Sequence, residues 1–503
     1  HYLFENIYTG DQAHPTFYVD NSLIQNPPYS FAIGGTNMNI FSRSTGTYAA
    51  KLDWTSQLSE RLSFQSGGEF KQHSVFYHNI NLIPKLDAQG GKASPYDVDI
   101  PPLSSQDNDQ YLRKPYEASV YWQSKFESDY IIFNFGLRYD IFNPDGRILS
   151  DPSDPDIRTP LNPLHQDTLE VRQTYWYKKA SIKSKLSPRV GLAFPISTTG
   201  VIHFSYGHFF QLPSYELLYT NPNFKLGDGS DNQGLVGNAD LQPQKTVKGE
   251  IGLKQQISDN IGADVTMFFE DFRDLTGTQT QDILVFTKSK SYSQYSNSDF
   301  GSSKGIVLKI DKRFSDGLAA SIDYTFSITQ GNASNPTDAR NAVLGGATPE
   351  TYIAPLDWDQ RHSINLVLAY TKSKDYGCSM IANYYSGQPY TPAVNKNSAV
   401  KQNSYPRNSA FRPSIFNIDL KANKEITIGS VTLSLFLRVF NLLDLENPRT
   451  VYANSGDSKF TFDKLDAENI NPKLYYNTLD DLYINPGFFS EPRRIELGTS
   501  ISF

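Results

Sequence analysis

The 503-residue chain is poor in sulfur, in charge and in long apolar runs. Its one cysteine, Cys378, excludes an internal disulfide and a zinc site built from clustered cysteines. Charged residues make up 20% of the chain and the net charge is −7, which argues against a nucleic-acid partner because phosphate binding needs a basic surface. No apolar run approaches the about 18 residues of a transmembrane helix. A mean hydropathy of −0.46 looks soluble, but a transmembrane β-barrel also has a low average because only alternate residues face lipid.

Aromatic residues, in contrast, are abundant. The chain contains 32 Phe and 31 Tyr, and aromatic residues reach 13%. This composition favours pleated surfaces over helices. A soluble chain of this length would divide into about two to four domains.

Seven short polar clusters separate strand-like runs and predict hairpin turns. They lie at residues 57–60, 127–129, 197–200, 258–260, 315–317, 372–375 and 424–429. Long polar segments lie between them, at residues 143–177, 212–244, 331–360 and 442–490. Short turns on one side and long loops on the other are typical of an outer-membrane barrel, in which the turns face the periplasm and the loops are extracellular.

The runs between turns alternate apolar and polar residues over about 9 to 13 residues, which is longer than ordinary strands. We therefore predict an all-β protein, a transmembrane antiparallel β-barrel of about 15 strands in this chain. Polar strand positions would face the lumen, where they either contact a substrate or a plug, or form ion pairs among themselves. The candidates are Arg138, Asp323, Asp419, Lys421 and Arg438.

The strand count and the last strand bear on domain organisation. Complete bacterial barrels have an even number of strands, so we expect a further part of the barrel before His1. Residues 1–43 are then an extracellular loop or partial barrel segment, and residues 44–503 are the C-terminal portion of the barrel. In residues 494–503, Ile495, Leu497, Ile501 and Phe503 share one face.

Three stretches resemble a known family. Residues 205–219 read Ser-Tyr-Gly-His-Phe-Phe-Gln-Leu-Pro-Ser-Tyr-Glu-Leu-Leu-Tyr, residues 238–245 read Asn-Ala-Asp-Leu-Gln-Pro-Gln-Lys with a strand at 250–254, and residues 439–444 precede the closing strand at 492–503. This ordered set is similar to the barrel of TonB-dependent outer-membrane receptors. Ala239 and Gln244 depart from the pattern, where Pro and Glu are usual. Residues 186–195 resemble receptors of Bacteroidetes-type bacteria.

The resemblance implies a barrel of about 22 strands with an N-terminal plug that is absent from this chain. It implies import of a scarce nutrient, such as a siderophore, glycan, peptide or vitamin-like ligand, with energy from the TonB complex through that plug. Implied partners are outer-membrane lipid, the barrel assembly machinery, which would recognise Phe503, and a surface lipoprotein or larger complex. Two alternatives stay open: a docking barrel that transports nothing, and a passive porin.

No catalytic constellation, cofactor motif or metal motif emerges, so we do not expect an enzyme. The eight histidines show no metal-ligand spacing. Asp228 and Asp231 in a Gly-rich loop resemble a calcium loop but lack its register, and the prolines around Asp151, Asp154 and Asp156 favour a solvated loop. Aromatic residues near the outer mouth could stack on a ligand or anchor the interface. These candidates are Phe210, Tyr215, Tyr219, Tyr385 and Tyr390.

Overall fold

The computed structural model describes residues 38–86, 98–227, 231–279, 281–286, 289–344, 352–373, 376–393, 405–465 and 483–502. In these ranges, long strands pair antiparallel with their neighbours in chain order within one large sheet. The strands are β1 (Asn39–Ser59), β2 (Leu62–Asn81), β3 (Asn108–Arg113 and Tyr116–Glu127), β4 (Ile132–Asn143), β5 (Lys183–Pro195), β6 (Gly200–Gln211), β7 (Gln244–Ser258), β8 (Ile261–Thr278), β9 (Lys290–Ser315), β10 (Leu318–Gly331), β11 (His362–Ser373), β12 (Tyr376–Tyr385), β13 (Ile415–Ile428), β14 (Val431–Phe440) and β15 (Arg494–Ser502). The predicted all-β architecture is confirmed.

The short connections that the structure describes lie where the polar clusters predict them, with shifts at their edges, and residues 374–375 of the predicted turn at 372–375 lie outside the described residues. The strand β1 begins at Asn39 rather than near residue 44, because residues 39–43 pair with residues 77–81 of β2. Residues 424–428, predicted as turn, continue β13 and pair with β14, which leaves a turn at residues 429–430. Alternating Glu, Thr and Ile support a strand there as well as a turn.

The strand β3 is interrupted at residues 114–115. Pro115 has no N–H to donate to a ladder, so a break in pairing is expected at this position. The Pro115 carbonyl still accepts a bond of 2.9 Å from the His73 N–H of β2, which keeps the two parts of β3 aligned.

Apolar side chains on the membrane-length strands point away from the polar face. On β8, Val265, Met267 and Phe269 are 38%, 54% and 48% exposed. In register with Met267 lie Ile251 of β7 and Ile306 of β9. Alternation along each strand and matched register across strands therefore build a continuous apolar surface.

The long connections carry short helices and strands. The helices are α1 (Leu169–Tyr175), α2 (Tyr215–Tyr219) and α3 (Asp338–Leu344), with short 3₁₀ turns at Pro163–His165 and Pro486–Phe488. Small strands lie at Ile83–Pro84, Val98–Asp99, Arg147–Leu149, Tyr177–Lys179, Asp231–Val236, Ile283–Leu284, Ala354–Pro355, Pro389–Tyr390 and Ala410–Phe411. No helix in the described ranges is long and apolar enough to cross a membrane.

Two apolar cores hold these connections together. One joins Tyr219 and Leu218 of α2 to Tyr111 of β3 and Phe142 of β4. The other contains Trp176, Phe224, Val236 and Tyr292, and it lies entirely among connections and the start of β9. Burial of this apolar area explains why connections of about 30 residues adopt defined structure.

The closing strand β15 pairs with β14 along its whole length, from Arg494 opposite Phe440 to Ser502 opposite Thr432. Among the described residues, no ladder joins β15 to β1. Phe503 lies outside these ranges, so the predicted assembly signal stays a prediction.

Candidate functional site

Charged side chains on the polar face of the sheet pair with one another two residues apart. Arg138 Nε lies 2.8 Å from Asp140 Oδ1, and Lys71 Nζ lies 3.0 Å from Glu69 Oε2. Residues i and i+2 of a strand share a face, so the pairing follows from strand geometry. Each pair balances charge locally on that face.

A cavity of about 450 Å³ opens on this face, where β2, β3, β4, β5 and β6 meet the connections after β6. Eight charged side chains line it. The cations are Lys71, Arg138, Lys183, Lys185 and Arg189, and the acids are Glu69, Glu117 and Asp140. The lining therefore has an excess of two positive charges.

Lys185 and Arg189 supply this excess. Lys185 Nζ lies 5.7 Å from the centre of the Phe210 ring, and Arg189 Cζ lies 4.6 Å from the centre of the Phe209 ring. In the described part of the chain neither cation forms an ion pair. A cation over an aromatic face is stabilised by the ring while its N–H donors can still bind an anion.

Lys183, at the start of β5, is tied to the connection that follows α2. Its Nζ donates to Asp240 Oδ1 at 2.5 Å and to the Ser181 hydroxyl, and its side chain is only 2% exposed. Burial by itself would raise the pKa of Asp240, but the hydrogen bonds from Lys183 and Ser181 outweigh burial and hold that pKa below its ordinary value. This contact joins the connection after α2 to β5, which lines the cavity.

The predicted aromatic candidates divide between the cavity and the core. Phe210 lines the cavity. Tyr215 and Tyr219 lie one turn apart on α2, and their rings stack with centres 5.9 Å apart. Tyr219 is 1% exposed and its hydroxyl donates to the Pro144 carbonyl, so it is a core residue rather than an accessible one. Burial raises the pKa values of both tyrosines, which stay neutral hydroxyl groups.

The remaining aromatic candidates lie away from this cavity. The Tyr385 hydroxyl, at the end of β12, donates to Asn365 Oδ1 at 2.9 Å. Tyr390 pairs with Ala410 in a small hairpin of the connection after β12. The structure does not bring these two tyrosines together with Phe210.

The other predicted polar residues also lie on the polar face. Asp323 is opposite Lys309 in the ladder between β9 and β10. Asp419 accepts hydrogen bonds of 2.9 Å from Asn417 Nδ2 and from the Asn441 N–H. Lys421 is opposite Arg438, whose guanidinium lies 3.7 Å from Glu496. A ligand role for these side chains stays a prediction.

The calcium candidates Asp151, Asp154 and Asp156 are engaged in hydrogen bonds within their own connection. Asp151 accepts from the N–H and hydroxyl of Ser153, and Asp156 accepts from the Arg158 N–H. Asp154 is 1% exposed and accepts from His165 Nδ1 at 2.9 Å. Asp228 lies outside the described residues, and Asp231 begins a small strand. Across the described ranges, no three His, Cys, Asp or Glu side chains are grouped to hold a metal ion.

Sequence reasoning did not single out the basic residues of β5 that line the cavity, which we call its basic wall. Lys183, Lys185, Ser187 and Arg189 alternate at period two, so the signal for one polar face was present. It also missed His73, which is 9% exposed and contacts Thr47 at 2.9 Å and Glu117 at 3.1 Å.

A family model described as "TonB dependent receptor-like, beta-barrel" matches residues 4–442. The match covers most of the chain. The chain belongs to this TonB-dependent receptor family. It is therefore an outer-membrane β-barrel, and its apolar strand face contacts lipid. The match ends before β15, whose place in the receptor rests on its pairing with β14.

Solved receptor structures share the fold at low sequence identity. The outer-membrane transporter YddB from Escherichia coli is 12% identical with a TM-score of 0.58, over 85% of this chain and 54% of that chain. The ferripyoverdine receptor of Pseudomonas aeruginosa is 13% identical with a TM-score of 0.54, over 92% and 49%. The FrpB iron transporter from Neisseria meningitidis is 14% identical with a TM-score of 0.51, over 82% and 52%.

This receptor chain spans about half the length of the solved chains that it matches. The comparison with curated protein sequences finds no match.

Proposed function

We propose that this receptor imports a scarce, negatively charged nutrient across the outer membrane with energy from the TonB complex. The observation that carries the proposal is the cavity on the lumen wall, whose cations outnumber its acids and where Lys185 and Arg189 lie over aromatic rings. Unpaired cations beside aromatic faces suit an anionic ligand with planar groups. Transport, rather than catalysis, is also what the names of the similar structures describe.

The proposal assigns a role to each part of the pathway. The connections after β4 and β6 bound the outer entrance, and the basic wall of β5 lies below them. A plug domain upstream of the barrel would carry the TonB-contacting segment and open the lumen. The barrel assembly machinery, reading β15 and Phe503, and a surface lipoprotein are further proposed partners.

The test is uptake by the complete gene product in its own bacterium. The gene is deleted, and growth is compared on single limiting nutrients: ferric siderophores, glycans, peptides and cobalamin. We expect one nutrient to fail in the deletion strain and equally in a strain without TonB. Restored wild-type protein should recover growth, whereas the double variant Lys185→Gln, Arg189→Gln should recover it only at higher nutrient concentration.

The matched control is Lys125→Gln, which removes a cation from the same lumen face at a site where Lys125 pairs with Glu127 outside the cavity. It should support uptake as wild type does. Equal loss in this control would contradict a role for the cavity.

The same experiment separates the two rival functions. Uptake that persists without TonB, together with ohmic conductance in planar bilayers, would favour a passive porin. Normal growth of the deletion strain on every nutrient, together with a stoichiometric partner that copurifies with the barrel, would favour a docking barrel.

A further inference from the structure

A small hairpin in the connection after β4, which we call the outer hairpin, places cations against each other. It consists of Arg147–Leu149 and Tyr177–Lys179, with Arg147 directly opposite Lys179 and Leu149 opposite Tyr177. These four side chains share one face of the hairpin, because residues i and i+2 of a strand point the same way. Like charges directly opposite on a strand pair destabilise it, unless a counter-charge lies between them.

A third cation, Arg113 of β3, lies close enough to Arg147 for the two charges to interact. The Lys114 N–H donates to Asp145 Oδ2 at 2.7 Å, which holds the end of the first part of β3 beside the chain that enters the outer hairpin. Arg113, the preceding residue, has a buried Nε with no hydrogen-bond partner in the described structure. A buried donor without a partner is unfavourable, so an acceptor placed beside Arg113 Nε would stabilise this arrangement.

The nearby carboxylates balance these cations only in part. Asp145 lies close enough to attract Arg113 and also accepts from the Lys114 N–H, while Asp156 accepts from the Arg158 N–H at 2.9 Å and from Thr159 Oγ1 at 2.6 Å. Among the described residues, neither Arg113 nor Arg147 forms an ion pair.

Tyr177 marks where the cations converge. Arg147 Cζ lies 5.4 Å from the centre of the Tyr177 ring, and the Phe224 ring stacks on the Tyr177 ring with centres 6.2 Å apart. Burial raises the pKa of Tyr177 to about 12, against the opposing effect of the surrounding arginines Arg147, Arg158 and Arg113. The hydroxyl is therefore a neutral donor at physiological pH.

We propose that Arg113, Arg147, Lys179 and the Tyr177 hydroxyl form a binding site for an oxyanion, a phosphate or carboxylate group. Guanidinium groups present paired N–H donors that match two oxygens of such a group, and the ammonium and phenol add single donors. The anion would separate Arg147 from Lys179 and supply the acceptor that Arg113 Nε lacks. The site does not depend on the proposed import, since it is built from the outer hairpin and β3 alone.

The test is titration of the purified full-length receptor in detergent with inorganic phosphate and with citrate at low ionic strength, followed by calorimetry. The variants are Arg147→Gln, Arg113→Gln and the control Lys178→Gln. Lys178 is opposite Ile148 and points to the other face of the outer hairpin, so its removal changes the net charge equally without touching the site. We expect at least a tenfold loss of affinity in both arginine variants and less than a twofold change in the control.

A second arm distinguishes a soluble anion from a lipid phosphate. The same proteins are mixed with vesicles that contain or lack a phosphorylated glycolipid, and cosedimentation is measured. Binding that depends on Arg147 in either arm supports the site and identifies its source. The exposed Arg147→Gln variant keeps the test valid even if Arg113→Gln fails to fold. Absence of Arg147-dependent binding in both arms, or an equal loss in Lys178→Gln, would overturn the proposal.

Discussion

Lys183 Nζ lies 2.5 Å from Asp240 Oδ1, and this contact joins the start of β5 to the connection after α2. The lysine is buried and the aspartate is 37% exposed at its side chain. The pair fixes the position of the connection over a cavity whose two unpaired cations, Lys185 and Arg189, lie two and six residues further along the same strand.

Replacing Asp240 with asparagine should loosen this connection. The change leaves a buried ammonium without its carboxylate, and we expect a loss of about 1–3 kcal/mol, toward the lower end because solvent screens the exposed aspartate. Limited proteolysis within residues 212–244 should become faster. Asp259→Asn, in the short turn between β7 and β8, is the control and should leave proteolysis unchanged.

The same pair predicts an acid-dependent effect. The hydrogen bonds to Asp240 depress its pKa below 3.8, so its contribution to stability is complete above that value and is lost as pH falls through the lower folded-state pKa. The difference in urea midpoint between wild type and Asp240→Asn should therefore be constant from pH about 7 to about 4 and shrink below it. A difference that shrinks already near neutral pH would contradict this assignment.

Substitutions on β8 test which face of the strand contacts lipid. Met267 lies on the apolar face between Ile251 and Ile306, so Met267→Lys should cost about 2–4 kcal/mol if it lies near the bilayer centre. Thr266→Lys, one residue away on the polar face near Asp264, should cost less than about 1 kcal/mol. Equilibrium unfolding in lipid vesicles measures both, and similar losses would mean that the faces are assigned wrongly.

Tyr219 should act as a core residue. Tyr219→Ala removes a ring that is 1% exposed, and we expect a loss of about 3–5 kcal/mol. Tyr219→Phe removes only the bond to the Pro144 carbonyl and should cost about 1 kcal/mol. The free energy of unfolding of both variants tests this, and a larger loss for phenylalanine than for alanine would contradict it.

Two turn glycines provide a matched comparison. Gly317 and Gly429 both have positive φ, +80° and +64°, so alanine at either should cost about 1–2 kcal/mol. A Cβ at Gly317 would lie 2.8 Å from the Thr371 carbonyl oxygen, whereas at Gly429 it meets nothing within 4 Å. Gly317→Ala should therefore destabilise the barrel more than Gly429→Ala, as measured by the urea midpoint.

Local sequence was sufficient for the strands and turns. Alternation such as Phe133, Phe135 and Leu137 against Asn134 and Gly136 defines two faces without knowledge of any partner strand. The turn clusters likewise act within a few residues, which is why the short connections in the described ranges lie at predicted places and only their edges differ.

The sites depended on contacts between distant residues. The i, i+4 spacing of Tyr215 and Tyr219 predicts that their rings meet, but burial of Tyr219 comes from Tyr111 and Pro144, far away in the chain. Arg113 and Arg147 are distant in sequence and lie near each other where the Lys114 N–H donates to Asp145 Oδ2. The sequence by itself determined an alternating, antiparallel barrel, since side-chain direction and turn formation are local properties. The tertiary structure decided which cations are paired and which are left to bind a ligand, because register and loop packing set those distances.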